Sequence, residues 1–378
     1  MDEATKKRIH DQIAKQSELE RIRKETQDKR IMLDSKRVDL EMERSHRAEQ
    51  ELLRIKAANF GEMSEKDLQE MRQSNADYMS AAKKKMVFIN EAFADVVPFF
   101  RKNLILIGGK TGEGKSTTVA NIIFSTIKQT NPATGKPCKV LVISNEEVKE
   151  DVYNRVTCLA HGWHYANHDQ FTEDQLKTFD EFMPRWTKGG RLTVIDNNSN
   201  GGNGETTSIE GIQSIFDWLI ENKVYYDVVI LDYYQNVKFS KKDTSLNEYE
   251  VQARLAAMLD RYKNEYPAPI VVMAQVTPPA ADGRSPFEGR IKGRKVITDP
   301  STLIMEMVAE RELLRTKWIV HKSRFTESVG KIFHTGYERG KFVKYTTDFE
   351  TKVNLMNERR EWAKNTGTGD VFKEREDE

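Results

Sequence analysis

The segment Gly109-Lys110-Thr111-Gly112-Glu113-Gly114-Lys115-Ser116 limits the fold of this chain more than any other stretch. It follows the apolar run Leu104-Ile105-Leu106-Ile107 and precedes a helical pattern from Thr117 to Ile127. A buried strand, a glycine-rich turn and a helix in that order are the context that Gly-x4-Gly-Lys-Ser requires to be a phosphate-binding loop. Its glycines let backbone N–H groups turn onto phosphate oxygens, and the helix N-terminus adds partial positive charge. Gly109, Lys110, Thr111, Gly112, Glu113, Gly114, Lys115, Ser116 and Thr117 are therefore expected to hold a nucleoside triphosphate. Lys115 should reach the β- and γ-phosphates and the Ser116 hydroxyl should ligate Mg²⁺.

Further apolar runs follow at Val140–Ile143, Leu192–Ile195, Val228–Leu231 and Ile270–Met273, separated by amphipathic stretches. Continuous apolar strands alternating with helices indicate a parallel sheet covered on both faces. Two more strands, around Trp318–Val320 and Lys331–Phe333, are close enough in sequence to form an antiparallel hairpin at one edge. The expected fold is α/β, a P-loop NTPase core over residues 86–350. Residues 1–85 are a charged, helix-favouring arm, and residues 351–378 a polar tail expected to be disordered. Apolar residues in the arm, such as Ile9, Ile13, Leu19 and Ile22, are too irregular for a heptad assignment. The arm reads either as a solvated helix or as an oligomerisation or partner-binding element.

The net charge of +1 excludes a polyanion-binding role from bulk electrostatics, so any such site must come from local clustering. Two cysteines, Cys138 and Cys158, make no disulfide framework and suit a reducing compartment. No apolar signal core or membrane-length run is present, and a cytoplasmic protein is expected. Cys158, His161, His164 and His168 invite a zinc reading, but their spacing matches no common zinc module and Gly162 interrupts the helix that would align them.

Asp232 closes the run Val228–Leu231, and an acid at the tip of a buried strand beside a phosphate loop can hold the Mg²⁺ water shell. Ser144-Asn145-Glu146-Glu147 closes the preceding strand. Two carboxylates there fit either a water-orienting group or an acidic helix start. Gln275 ends the strand that begins at Ile270, where it reads as a sensor of the γ-phosphate or as an ordinary loop glutamine.

Taken in order, these elements resemble the RecA-like ATPase domain of DnaB-type (superfamily 4) replicative helicases, over roughly residues 86–345. The resemblance rests on the phosphate loop, Ser144-Asn145-Glu146, Ile230-Leu231-Asp232-Tyr233-Tyr234-Gln235, Pro269 to Gln275, and His321-Lys322-Ser323-Arg324-Phe325. Phe171-Thr172-Glu173-Asp174 is a lesser match. The resemblance implies ATP hydrolysis with Glu146 catalytic, at sites between subunits of a hexameric ring. It also implies that Lys322 and Arg324 reach into a neighbour's site to stabilise phosphoryl charge. Read without it, they are two surface cations.

The family binds single-stranded DNA through loops lining its channel. Lys238, Lys241 and Lys242 stand in one matching position, and Arg284, Arg290, Lys292, Arg294 and Lys295 in another, where a long solvated loop is the alternative. In place of the family's usual N-terminal domain stands the charged arm, which suits a phage-type member. The arm or the tail would meet a primase, polymerase or loader. The function expected is an ATP-dependent DNA helicase acting in replication. The alternatives are a recombinase or regulatory DNA-dependent ATPase that does not unwind, or an ATP-switched loader.

Overall fold

A computed structural model describes residues 65–66, 68–69, 72–73, 86–97, 103–132, 134–165, 171–198, 206–238, 247–278, 286–291 and 295–366. The chain divides into two compact units, residues 1–75 and 76–378. Of the first unit, the described residues between 65 and 73 are helical, in line with the helix-favouring composition of the arm. The rest of the arm lies outside the described residues.

The second unit is built on a nine-stranded sheet. Its strands are β1 (Leu104–Gly109), β2 (Val140–Ser144), β3 (Leu192–Ile195), β4 (Val228–Asp232), β5 (Ile270–Gln275), β6 (Leu303–Glu310), β7 (Arg315–Ser323), β8 (Ile332–Glu338) and β9 (Lys341–Lys344). They lie in the order β3-β2-β4-β5-β1-β6-β7-β8-β9. The strands from β3 across to β6 pair in parallel, and β6 to β9 pair antiparallel.

The helices are α1 (Lys115–Ile127), α2 (Lys149–His161), α3 (Glu173–Thr187), α4 (Ile209–Glu221), α5 (Glu248–Glu265), the single turn α6 (Phe287–Arg290) and α7 (Thr347–Thr366). Successive residues of β1 face opposite sides, and each side has its own core. Ile105 and Ile107 pack with Val119 and Ile122 of α1 and Val152 and Val156 of α2. Leu104 and Leu106 pack with Ile212 and Phe216 of α4 and Leu255 and Leu259 of α5. Burial on both faces is why the central strands are continuously apolar. α3 has no fully buried residue; its start is fixed by a capping box between Thr172 and Gln175.

Three elements differ from the expectation. β6 is an additional strand, and its run Leu303-Ile304-Met305 is interrupted by a buried Glu306. β9 adds a further strand outside β8, so the β7–β8 hairpin forms without occupying the sheet edge. A helix covers Thr347–Thr366, where the polar composition predicts a disordered tail from residue 351; residues 367–378 lie outside the described residues. Among the described residues no helix is long and apolar enough to cross a membrane.

Parallel register brings the C-terminal ends of the central strands to one edge. Gly109 of β1 stands beside Gln275 of β5, and Ser144 of β2 beside Asp232 of β4. The residues after these strands meet there, at the C-terminal edge where open parallel sheets bind ligands.

Candidate nucleotide-binding site

The loop leaving β1 turns through Gly112 (φ 80°) and Gly114 (φ 96°), a left-handed region that favours glycine. α1 begins at Lys115, so its unpaired N–H groups point into the loop. Lys115 Nζ folds back to donate to the carbonyls of Gly109 at 3.4 Å and Lys110 at 3.1 Å. The loop is also held from β6 and the turn after it. Glu113 accepts from the Ala309 N–H, and Arg311 donates to the Gly112 carbonyl at 2.8 Å. The Glu113 side chain thus serves as a loop anchor.

Beside the loop, Asp232 is only 2% exposed, and its Oδ1 has no hydrogen-bond partner. Burial, then the nearby Glu146 and Glu147, push its carboxyl up to about 7, opposed by Lys115. A buried carboxylate oxygen with no donor, among acids and near the start of α1, fits a divalent cation. Asp232 and Ser116 would hold Mg²⁺ there.

The two acids after β2 have different surroundings. Glu147 is ion-paired to Arg155 of α2 at 2.5 Å, and Arg155 lies 4.3 Å from the Tyr165 ring centroid. Glu146 is exposed and, among the described residues, has no hydrogen-bond or ion-pair partner. The acids of the α2 first turn are Glu150 and Asp151, so Glu146 is outside the helix start that competed for it. Asn145 stitches the strand ends together: its N–H donates to the Asp232 carbonyl at 2.8 Å, and its Oδ1 accepts from the Tyr233 N–H at 2.9 Å.

Gln275 donates its side-chain amide to Thr111 in the phosphate loop. Its backbone is gripped at both ends by Gln235, which accepts from the Gln275 N–H and donates to the Gln275 carbonyl, each at 3.0 Å. Gln275 thus connects the loop to the segment following β5.

A cavity of about 320 Å³ opens beside the loop, lined among others by Gly112, Thr117, Arg311, Leu314, Tyr337 and Phe342. Its mostly apolar walls suit the flat base of a nucleotide whose phosphates lie in the loop. Sequence reasoning missed Arg311, Leu314, Tyr337 and Phe342. They come from the β6–β7 turn and from β8 and β9, which no motif marks.

Lys322 and Arg324 lie elsewhere. Lys322 pairs with Ile304 of β6, and the Arg324 N–H donates to the Thr302 carbonyl, level with the start of β1. At about 3.3 Å per strand residue, that is roughly 15 Å from the Gly109 end. Their side chains turn to one side together: Lys322 Nζ donates to the Thr298 (2.7 Å) and Asp299 (3.0 Å) carbonyls, and Arg324 to Asp299 (3.0 Å). Burial, then Arg324, lower the Lys322 ammonium from its ordinary value.

Of the basic residues expected on DNA, Lys238 is exposed. Arg290 is a correction: it is 8% exposed and paired to Glu306 at 2.6 Å, so it is a buried ion-pair partner rather than a solvent-facing cation. Lys241, Lys242, Arg284, Lys292 and Arg294 lie outside the described residues, as does the Lys295 side chain. His161 stacks on Trp163 at 4.7 Å and meets Phe182 edge-on at 4.9 Å, and Cys158 is buried. Among the described residues these groups form no metal-ligand cluster; His168 lies outside them.

The family described as DnaB-like helicase C terminal domain matches residues 95–324. Among solved structures, one described as an ATPase domain is similar at TM-score 0.58 and 13% identity, covering 74% of this chain and 99% of that one. A DnaB-like replicative helicase, described with its interactions with primase, is similar at TM-score 0.56 and 14% identity, covering 79% of this chain and 71% of that one. A comparison with curated proteins finds no match.

Proposed function

Because the chain belongs to the DnaB-like helicase C-terminal domain family, we propose that it hydrolyses ATP to move on single-stranded DNA, as a replicative helicase whose active sites lie between copies of the chain. The observation that carries this reading is the meeting of the phosphate loop, Asp232, Glu146 and Gln275 at one edge of the sheet. Backbone N–H groups of the loop and Lys115 bind the phosphates, while the apolar cavity takes the base. Ser116 and Asp232 would hold Mg²⁺, which when bound would offset the charge on the phosphate oxygens. Glu146, the acid without a partner among the described residues, orients the attacking water and accepts its proton.

Lys322 and Arg324 do not reach this edge within their own chain, which supports a contribution from a neighbour. They stand toward the opposite end of the sheet, next to the exposed apolar residues Phe325, Val329 and Ile332. A basic pair flanked by exposed apolar side chains suits contact with a second copy, where the cations would complete the site in trans. Lys238 and, beyond Gln275, Arg284, Lys292, Arg294 and Lys295 are the DNA-facing candidates. Primase is a candidate partner, by analogy with the similar helicase.

Forked DNA tests the proposal. ATP-dependent strand displacement is expected from a fork with a free single-stranded arm and not from a blunt duplex. Single-stranded DNA that stimulates hydrolysis without any displacement would favour a recombinase or regulatory ATPase. Hydrolysis indifferent to DNA would favour a loader.

A further inference from the structure

The segment after β5 returns to the sheet by a route that the nucleotide site does not require. Val276 bridges antiparallel to Ile291, and Thr277 donates to the Arg290 carbonyl through both its N–H (2.7 Å) and its hydroxyl (3.0 Å). Directly downstream of Gln275, the chain is therefore tied to the end of α6. α6 in turn is pressed onto the sheet. The Phe287 ring lies over Gly108, where an added Cβ would come within 2.5 Å of its Cζ, and stacks on His321 at 4.4 Å and 11°.

Glu306 sits at the centre of this assembly, 5% exposed and on β6, level with Gly108. Its Oε2 accepts from Arg290 at 2.6 Å and lies 2.9 Å from His321 Nε2. Burial alone would raise its carboxyl, but the hydrogen bonds from His321 and Arg290 outweigh it, and the group is held below the usual carboxylate range. One carboxylate oxygen thus joins the segment following Gln275 to the β7 residue immediately before Lys322-Ser323-Arg324. A buried ion pair is weak evidence for stability, because an apolar replacement of similar volume often serves as well. Its three-way connection is what distinguishes it.

We infer that Glu306 is a positioning residue that couples the segment leaving Gln275 to the strand carrying Lys322 and Arg324. Occupancy at one chain's own nucleotide and DNA sites is thereby felt at the site it completes in its neighbour. Two arrangements of α6 against β6 and β7 would differ in where His321, and hence Lys322 and Arg324, are held. This rests on the shared-site reading proposed above.

The test compares the full chain with Glu306→Gln and with the double variant Arg290→Met/Glu306→Leu, which replaces the ion pair by apolar side chains. Hydrolysis is followed against ATP concentration, with and without an oligo-dT strand. The basal rate and the KM for ATP should stay within about twofold, while stimulation by oligo-dT should fall roughly tenfold, an ordinary size for coupling between two sites. Thermal unfolding of the double variant should be retained. Undiminished stimulation in both variants overturns the inference while leaving the helicase reading intact. An unaltered chain that oligo-dT fails to stimulate overturns both. Should Glu306→Gln unfold, the double variant decides; should it unfold too, the cluster serves stability alone and the inference falls.

Discussion

Asp232 ends β4 with one oxygen unpartnered, and burial with Glu146 and Glu147 nearby pushes its carboxyl up to about 7. The folded chain then keeps a proton that the unfolded chain has already lost between the ordinary carboxylate range and about pH 7. Stability of the metal-free protein should fall as pH rises through that window and be lowest above it. Asp232→Asn removes the titration. Without Mg²⁺ at pH 8 the variant should be more stable than the unaltered chain by roughly 2–4 kcal/mol, since each pKa unit is worth about 1.4 kcal/mol. The gap should close toward about pH 3, where the carboxyl is largely protonated in the unfolded chain as well as the folded one. Urea unfolding at the two pH values measures it, and a gain that does not depend on pH would contradict the assignment. Mg²⁺ with nucleotide should narrow or reverse the gap, stabilising the chain that retains the carboxylate more than the variant.

At the scale of elements, the contact between β1 and the segment after β5 is close enough to be tested by one carbon atom. A Cβ at Gly108 would lie 2.5 Å from Phe287 Cζ and 2.7 Å from Val276 Cγ2. The Phe287 ring is held against His321 and has little room to yield. Gly108→Ala should therefore destabilise the fold by about 1–3 kcal/mol, the usual cost of overpacking, seen as a lower urea midpoint. An unchanged midpoint would mean that α6 lifts away freely.

The same neighbourhood explains which parts could be read from the sequence. β1, β2, β4 and β5 are buried on both faces and announce themselves as unbroken apolar runs. β6 does not, because Glu306 stands in its middle and its partners, Arg290 and His321, lie 16 and 15 residues away along the chain. Arg290, in a run of glycine and basic residues, looks like a solvated cation until that partner is seen. Lys115, Asp232 and Gln275 were legible because each follows or closes a strand in a motif. Residue chemistry alone left Glu146 and Glu147 equivalent and only the resemblance favoured Glu146; the distinction in the fold is that Arg155 of the next helix claims Glu147. The base-side cavity was invisible for a related reason: its walls come from strands that fold back over the loop from far along the sequence.

For the whole molecule, the proposed shared site makes a prediction about mixtures. Lys115→Ala chains lack a phosphate ligand and Arg324→Ala chains lack the cation offered to a neighbour, so each alone should be nearly inactive. In an equal mixture, about a quarter of contacts between copies would unite an intact loop with an intact arginine. Hydrolysis should reappear on mixing; a mixture no more active than its components would place Arg324 outside the reaction. The separation of these groups also bears on symmetry. The phosphate loop and Arg324 stand apart along the sheet, and in the proposed arrangement the contact runs head to tail, each copy lending its cations to one neighbour and receiving them from another. An open row of copies then always ends in one loop without a donor, and only closure of the row supplies every loop, so specific activity under this arrangement grows with assembly and fails on dilution.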